Sequence, residues 1–139
     1  MGTRRNIYIV IYVVWILVIF AFSLQTGTVS SQSSKWYVDL LTAFFANFDL
    51  IVSASFLTTL VRKGAHFTEY AILGFLSRKN VEINGNPKFY VSGLVPFADE
   101  YLQTFVSGRS GMLSDSLIDF AGYIAGVLLC RLMQKQGAR

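Results

Sequence analysis

The chain is poor in charge: aspartate, glutamate, lysine and arginine make up 14% of its 139 residues, where soluble domains carry about 25%. Hydrophobic residues reach 53%, and the mean hydropathy is +0.49. So few charges point to lipid as the main solvent. Cysteine occurs once, as Cys130, which excludes an internal disulfide and a thiolate metal cluster and leaves packing as its role. Histidine also occurs once, as His66, a poor basis for a zinc site. Two prolines, Pro87 and Pro96, leave room for long unbroken helices. The net charge of +4 forms no stripe. Its basic residues stand at the ends of apolar runs, as membrane anchors do, and this argues against a nucleic-acid partner.

One all-α domain over residues 1–139 is expected, an integral membrane bundle of four transmembrane helices with an outer-face amphipathic segment. The expected spans cover about 7–24, 62–77, 88–106 and 115–133. From Ile7 to Leu24 the polar side chains are two tyrosines, a tryptophan and Ser23. Those 18 residues rise about 27 Å as a helix, close to the hydrocarbon thickness. Arg4 and Arg5 precede them as in a secretory signal, but the stretch is long for one and Ala21-Phe22-Ser23 is a weak cleavage site. Arg62 and Lys63 open the second span and Arg78 and Lys79 close it; being short, it should continue into the preceding segment. Asn80 to Asn86 reads as a connecting turn around Asn84-Gly85. Pro87 opens the third span, Pro96 should kink it, and Ser114 should N-cap the fourth.

Trp36 to Leu60 is apolar but carries Asp39, Asn47 and Asp49, so it either spans or lies along the interface. If it does not span, Arg4, Arg5, Arg78, Lys79, Lys88, Arg131, Lys135 and Arg139 lie inside, eight of the twelve basic residues. If it does, the inside keeps Arg4, Arg5, Arg62, Lys63 and Arg109. The positive-inside rule favours the first arrangement: a multi-pass protein of the cell membrane, both termini cytoplasmic, with 36–60 folded against the outer surface.

Glu69, Asp99, Glu100 and Asp119 fall inside the expected spans, and Asp115 at an edge. An ionised group at the bilayer centre costs about 2.5–3.5 kcal/mol on insertion scales, so these acids must face the bundle interior and find partners there. Arg62, His66, Glu69 and Leu73 share one helical face; Asp99 and Gln103 are four apart; Asp115, Asp119, Gly122 and Gly126 mark one stripe. Glu69 lies six residues inward of Lys63, and Glu100 six before Val106, each about 9 Å along a helix. Asp119 follows Asp115 by four residues, about 6 Å. Three helices should therefore bring acids into one layer in the outer half of the membrane. Beside it stands the loop Ser107-Gly108-Arg109-Ser110-Gly111, with glycines for close approach of a ligand and a five-donor guanidinium. Arg62, Lys63, His66 and Arg109 could neutralise the acids or hold an anionic headgroup such as a phosphate.

Several motifs run in order along this part of the chain. They are Arg62-Lys63-Gly64-Ala65-His66-Phe67-Thr68-Glu69-Tyr70, Asp99-Glu100-Tyr101-Leu102-Gln103-Thr104-Phe105, Gly108-Arg109, and Asp115 with Asp119-Phe120-Ala121-Gly122 and Gly126. Together they resemble the VanZ-like family pattern from about Lys63 to Gly126. The resemblance implies a membrane protein of the bacterial cell envelope. The family's founding member is associated with resistance to teicoplanin, a lipid-anchored glycopeptide antibiotic that acts at the outer membrane surface. The recurring polar positions map onto Lys63, His66, Glu69, Glu100, Gln103, Arg109, Asp115 and Asp119, the candidate ligand-binding residues.

Each of these has a bland reading. His66 and Glu69 are either an acid–base or metal-ligating pair, with Glu100 a further catalytic candidate, or a hydrogen-bonded pair locking one helix to its neighbours. Carboxylates here would suit magnesium or calcium, and the sequence names no cofactor. For Asp99, Glu100 and Gln103 the bland role is polar glue at about 0.6 kcal/mol per contact, little return for adjacent carboxylates. Gly122 and Gly126 suggest close packing within the bundle rather than dimerisation. Arg109 either binds a ligand or pairs with Asp115. Two functions from different classes follow. One is a VanZ-like protein binding a lipid-linked cell-wall intermediate or lipoglycopeptide at the outer leaflet and conferring resistance. The other is an intramembrane metal-assisted hydrolase or transferase acting on a lipid-linked phosphate or ester. Proton-coupled export is a third, but the acids lie off the midplane where transport sites sit.

Overall fold

The computed structural model describes residues 2–109 and 111–137, so Ser110 of the glycine loop and Arg139 of the inner basic set lie outside the described residues. Among the described residues the chain is all-helical. Helices α1 (Gly2–Ser23), α2 (Gly27–Ala46) and α3 (Ala54–Asn84) precede a 3-10 helix (Pro87–Leu94), followed by α4 (Val95–Gln103) and α5 (Leu113–Gly137). Two stretches, Thr3–Ser23 and Leu113–Gln136, are long and apolar enough to cross a membrane.

The second apolar run does continue backwards, into a 31-residue helix. The Ser53 hydroxyl accepts the Phe56 N–H at 3.3 Å and starts it. Gly85 stops it in the left-handed region at φ 66°, a conformation that suits a residue without a Cβ, and the Gly85 N–H closes on the Val81 carbonyl at 2.9 Å. The connecting turn expected over Asn80–Asn86 is therefore shorter. Asn80 is buried, and its side-chain amide donates to the Tyr8 and Leu76 carbonyls at 3.1 and 2.9 Å, which keeps the polar stretch helical.

Pro96 does not kink a continuous span. It lies in the first turn of α4, where its missing N–H costs nothing. Lacking that N–H, it cannot make the α-type bond to Ser92, and the Val95 N–H instead reaches the Ser92 carbonyl three residues back, so the chain before it stays 3-10. Ser114 is not the N-cap of α5 either, because the helix begins one residue earlier and places Ser114 inside its first turn. The Trp36–Leu60 segment divides between α2, a loop and the first turns of α3.

Helices α3 and α5 form the spine, and glycines set their spacing. A Cβ on Gly74 would overlap the Tyr123 carbonyl, one on Gly122 the Phe67 carbonyl, and one on Gly126 the Ala71 carbonyl. The small-residue stripe thus packs inside the bundle. Around it lie Ile19, Tyr70, Leu73, Tyr123 and Val127, with Cys130 also buried. Bonds from Tyr12 Oη to the Phe89 carbonyl (3.2 Å) and from Arg78 Nη2 to Gln134 Oε1 (3.0 Å), with the Asn80–Tyr8 bond, gather four segments at one end. These are the start of α1, the end of α3, the 3-10 helix and the end of α5. The opposite end holds the polar cluster.

Candidate functional site

The α3 face carrying Arg62, Lys63 and His66 meets the first turns of α5 and the end of α4. These elements enclose a cavity of about 310 Å³ lined by Lys63, His66, Glu100, Gln103, Arg109, Asp115 and Asp119. Seven of the eight residues singled out by the motifs therefore face one space. The eighth, Glu69, lines a second cavity of about 320 Å³ against α1 and α2, and Arg62, His66 and Arg109 border both.

Arg109 is held on three sides. Its Nε donates to the Gln25 carbonyl at 3.2 Å, Nη1 to Gln103 Oε1 at 3.1 Å and Nη2 to the Phe22 carbonyl at 3.3 Å. The two carbonyls lie at the C-terminal end of α1, where the helix dipole favours a cation. Three of the five N–H donors of the guanidinium are used, and two remain. Burial lowers the pKa of Arg109 from its usual value, and the charge of Arg62 pushes the same way, while Asp99 and Glu100 oppose both; a guanidinium stays charged regardless. Gly108, at φ 75°, turns the loop so that Ser107 accepts the Gly27 N–H at 3.2 Å, seating the loop on α2.

Gln103 passes the arrangement inward. Its amide nitrogen donates to Asp99 Oδ2 at 3.1 Å, the four-residue pair legible in the sequence. Glu100 turns the other way and takes the Met112 N–H at 2.6 Å, so a carboxylate from α4 caps the mouth of α5 in place of Ser114. Asp115 pairs with Lys63 at 3.0 Å rather than with Arg109. Both side chains of that pair are more than a third exposed, at 43% and 36%, so it should contribute less than about 1 kcal/mol. Lys63→Met should accordingly shift thermal stability by no more than that, measured by unfolding in detergent; a larger drop would show the pair to be screened from solvent.

Deeper in, His66 Nδ1 stands 3.9 Å from Glu69 Oε2 and 3.9 Å from Asp119 Oδ2, beyond hydrogen-bond reach of either. Trp15 of α1 fixes this turn of α3 by donating to the Glu69 carbonyl at 3.0 Å. Asp99 is wholly buried, and Asp119 nearly so. His66, Asp99 and Asp119 each offer a ligand atom within 4.8 Å of the others. Asp99 was absent from the sequence-derived set. Its signal was the spacing to Gln103, which singled out the pair without telling which of two adjacent carboxylates, Asp99 or Glu100, points inward. Arg62, expected from the sequence beside the acids but outside the family-motif set, has no carboxylate within 4.0 Å among the described residues.

A family model described as VanZ/LLP1 matches residues 8–134 of the chain. Searches of curated proteins and of solved structures return no match.

Proposed function

Because the chain belongs to the VanZ/LLP1 family, we propose that it is a VanZ-like integral membrane protein of the cell envelope whose cavity binds the phosphate-bearing headgroup of a lipid-linked molecule at the outer leaflet. The observation that carries this reading is the separation of charge. Arg62 and Arg109 border the cavity without a carboxylate partner among the described residues, and an anion would complete them.

The membrane arrangement belongs to the same proposal. Helix α1, with 22 residues, is about 33 Å long and α5, with 25, about 37 Å. The 3-10 helix and α4, with 8 and 9 residues, rise about 30 Å together. With α3 these make four spans, and α2 lies toward the outer surface with Trp36, Tyr37, Leu40 and Phe44 exposed to the interface. Arg4, Arg5, Arg78, Lys79, Lys88, Arg131 and Lys135 lie toward the end remote from the cavity, which supports cytoplasmic termini and an outward-facing site.

The direct test is binding of a polyprenyl diphosphate to the protein reconstituted in bilayers, with the neutral polyprenol as comparator. A preference of about tenfold or more for the diphosphate is expected, equivalent to about 1.4 kcal/mol; equal retention of both would remove the headgroup reading. A lipoglycopeptide is the other anchored amphiphile the site would take. Strains with no gene, the wild type or Glu100→Gln at matched membrane levels separate that role. Teicoplanin tolerance raised by the wild type alone supports resistance, and no shift in any strain removes it. Metal-assisted hydrolysis or transfer at a lipid-linked phosphate or ester is the second reading, favoured by the close set His66, Asp99 and Asp119.

A further inference from the structure

The acids beneath the arginines are as incompletely partnered as the arginines themselves. Asp99 is 0% exposed, and its Oδ1 has no hydrogen-bond partner; His66 Nδ1 has none either. The Tyr70 hydroxyl, on a side chain also wholly buried, stands beside Asp99 as its nearest possible donor but makes no well-formed hydrogen bond. Buried polar groups are nearly always satisfied, and leaving one unmade costs about 1–3 kcal/mol. No lysine lies within 4.0 Å of the Asp99 or Asp119 carboxylates among the described residues; Lys63 pairs with Asp115 and Lys79 with Glu82.

We propose that His66, Asp99 and Asp119 form a site for one divalent cation of the manganese(II) type. The ion would sit beneath Arg62 and Arg109, so that metal and guanidiniums grip one phosphate from two sides. The spacing is near a ligand set: three donor atoms on one ion lie about 3.1–3.8 Å apart for bonds of about 2.2 Å, and these atoms lie within 4.8 Å of one another. Binding would draw them together by about 1 Å, which side-chain rotation can supply. The donor set narrows the ion. The imidazole argues against magnesium and calcium, and the two carboxylates favour the harder first-row divalent ions, of which manganese(II) is the hardest. Gln103 is the positioning residue: its amide holds Asp99 Oδ2, fixing the carboxylate that would ligate, while its carbonyl oxygen receives Arg109. One side chain thereby ties the cation half of the site to the anion half. Glu100, occupied by the Met112 N–H, stays outside the ligand set.

The role given to the ion rests on the phosphate-binding reading above, but its binding does not, and the experiment separates the two. The full chain in zwitterionic phosphatidylcholine bilayers is titrated with Mn²⁺, and free ion is followed by its paramagnetic resonance signal. One ion per chain is expected. Asp99→Asn and Asp119→Asn, each preserving shape, should weaken binding about tenfold or more, and the remote Glu82→Gln should not change it. Mn²⁺ should raise the unfolding temperature of the wild type and not of Asp99→Asn, a readout independent of any activity. Absence of saturable binding, or wild-type affinity in both asparagine variants, would overturn the site. The polyprenyl diphosphate measurement, repeated without metal on the same samples, then shows whether the arginine half stands alone.

Discussion

Arg109→Ala should reduce polyprenyl diphosphate binding about a hundredfold, equivalent to about 2.8 kcal/mol, while leaving Mn²⁺ binding in place. The size of the effect follows from what the side chain does. Its guanidinium donates three hydrogen bonds, to two α1 carbonyls and to Gln103, and two further N–H groups remain for a ligand. Hydrogen bonds to a charged group are worth about 1.5–3 kcal/mol each, so losing the ligand's share alone accounts for most of the loss. Arg109→Lys separates charge from geometry. It keeps the cation but cannot span both carbonyls and Gln103 at once, and it should recover less than about a tenth of the lost affinity. Full recovery by lysine would mean that the site reads charge alone. Unfolding curves of both variants show whether the loop has also come away from α1, and a collapsed transition in Arg109→Lys would assign the residue to structure rather than to ligand.

Gly126→Leu should abolish the folded monomer. A Cβ at this position would overlap the Ala71 carbonyl and crowd the Phe75 amide, both of them backbone atoms of α3 that no rotamer change can move aside. Overpacking a core costs about 1–3 kcal/mol when side chains can yield; here two helix axes must separate, and the layer of His66 and Asp119 separates with them. Gly64→Ala is the control. Its Cβ would meet nothing within 4 Å, and replacing an exposed helical glycine stabilises by about 0.5–1 kcal/mol. Size-exclusion profiles and membrane yields of the two variants should therefore diverge. Wild-type behaviour of Gly126→Leu would show that α3 and α5 do not pack as closely as described.

The family was legible before any coordinates, since the ordered motifs from Lys63 to Gly126 fall within the matched range 8–134. The all-helical character and the first and last apolar helices were legible too, because hydrocarbon thickness sets a run length that composition displays directly. Helix ends were read less well. Ser114 carries the residue type of an N-cap, but the helix starts before it and Glu100, twelve residues before Met112, takes the Met112 amide. Asn80 to Asn86 has the composition of a turn, yet Asn80 finds partners on α1 and stays helical. Capping preferences are local, and both positions were decided by groups remote in the chain.

By itself the sequence determined that this chain is helical and lipid-compatible and that its polar residues share one face on each of three helices; that seven of the eight motif residues line one cavity while Glu69 lines the next came from the structure. Periodicity and depth are one-dimensional quantities, and one dimension suffices for them. Which carboxylate faces which base was decided by the tertiary structure alone. Asp115 took Lys63, Glu100 took a backbone amide, and Asp99 entered the cluster that spacing had assigned to its neighbour. Adjacent residues on a helix point about 100° apart, and only the rotation of α4 against α3 and α5, held by Gln103 on Arg109 and by Glu100 on the Met112 amide, selects which of the two looks inward.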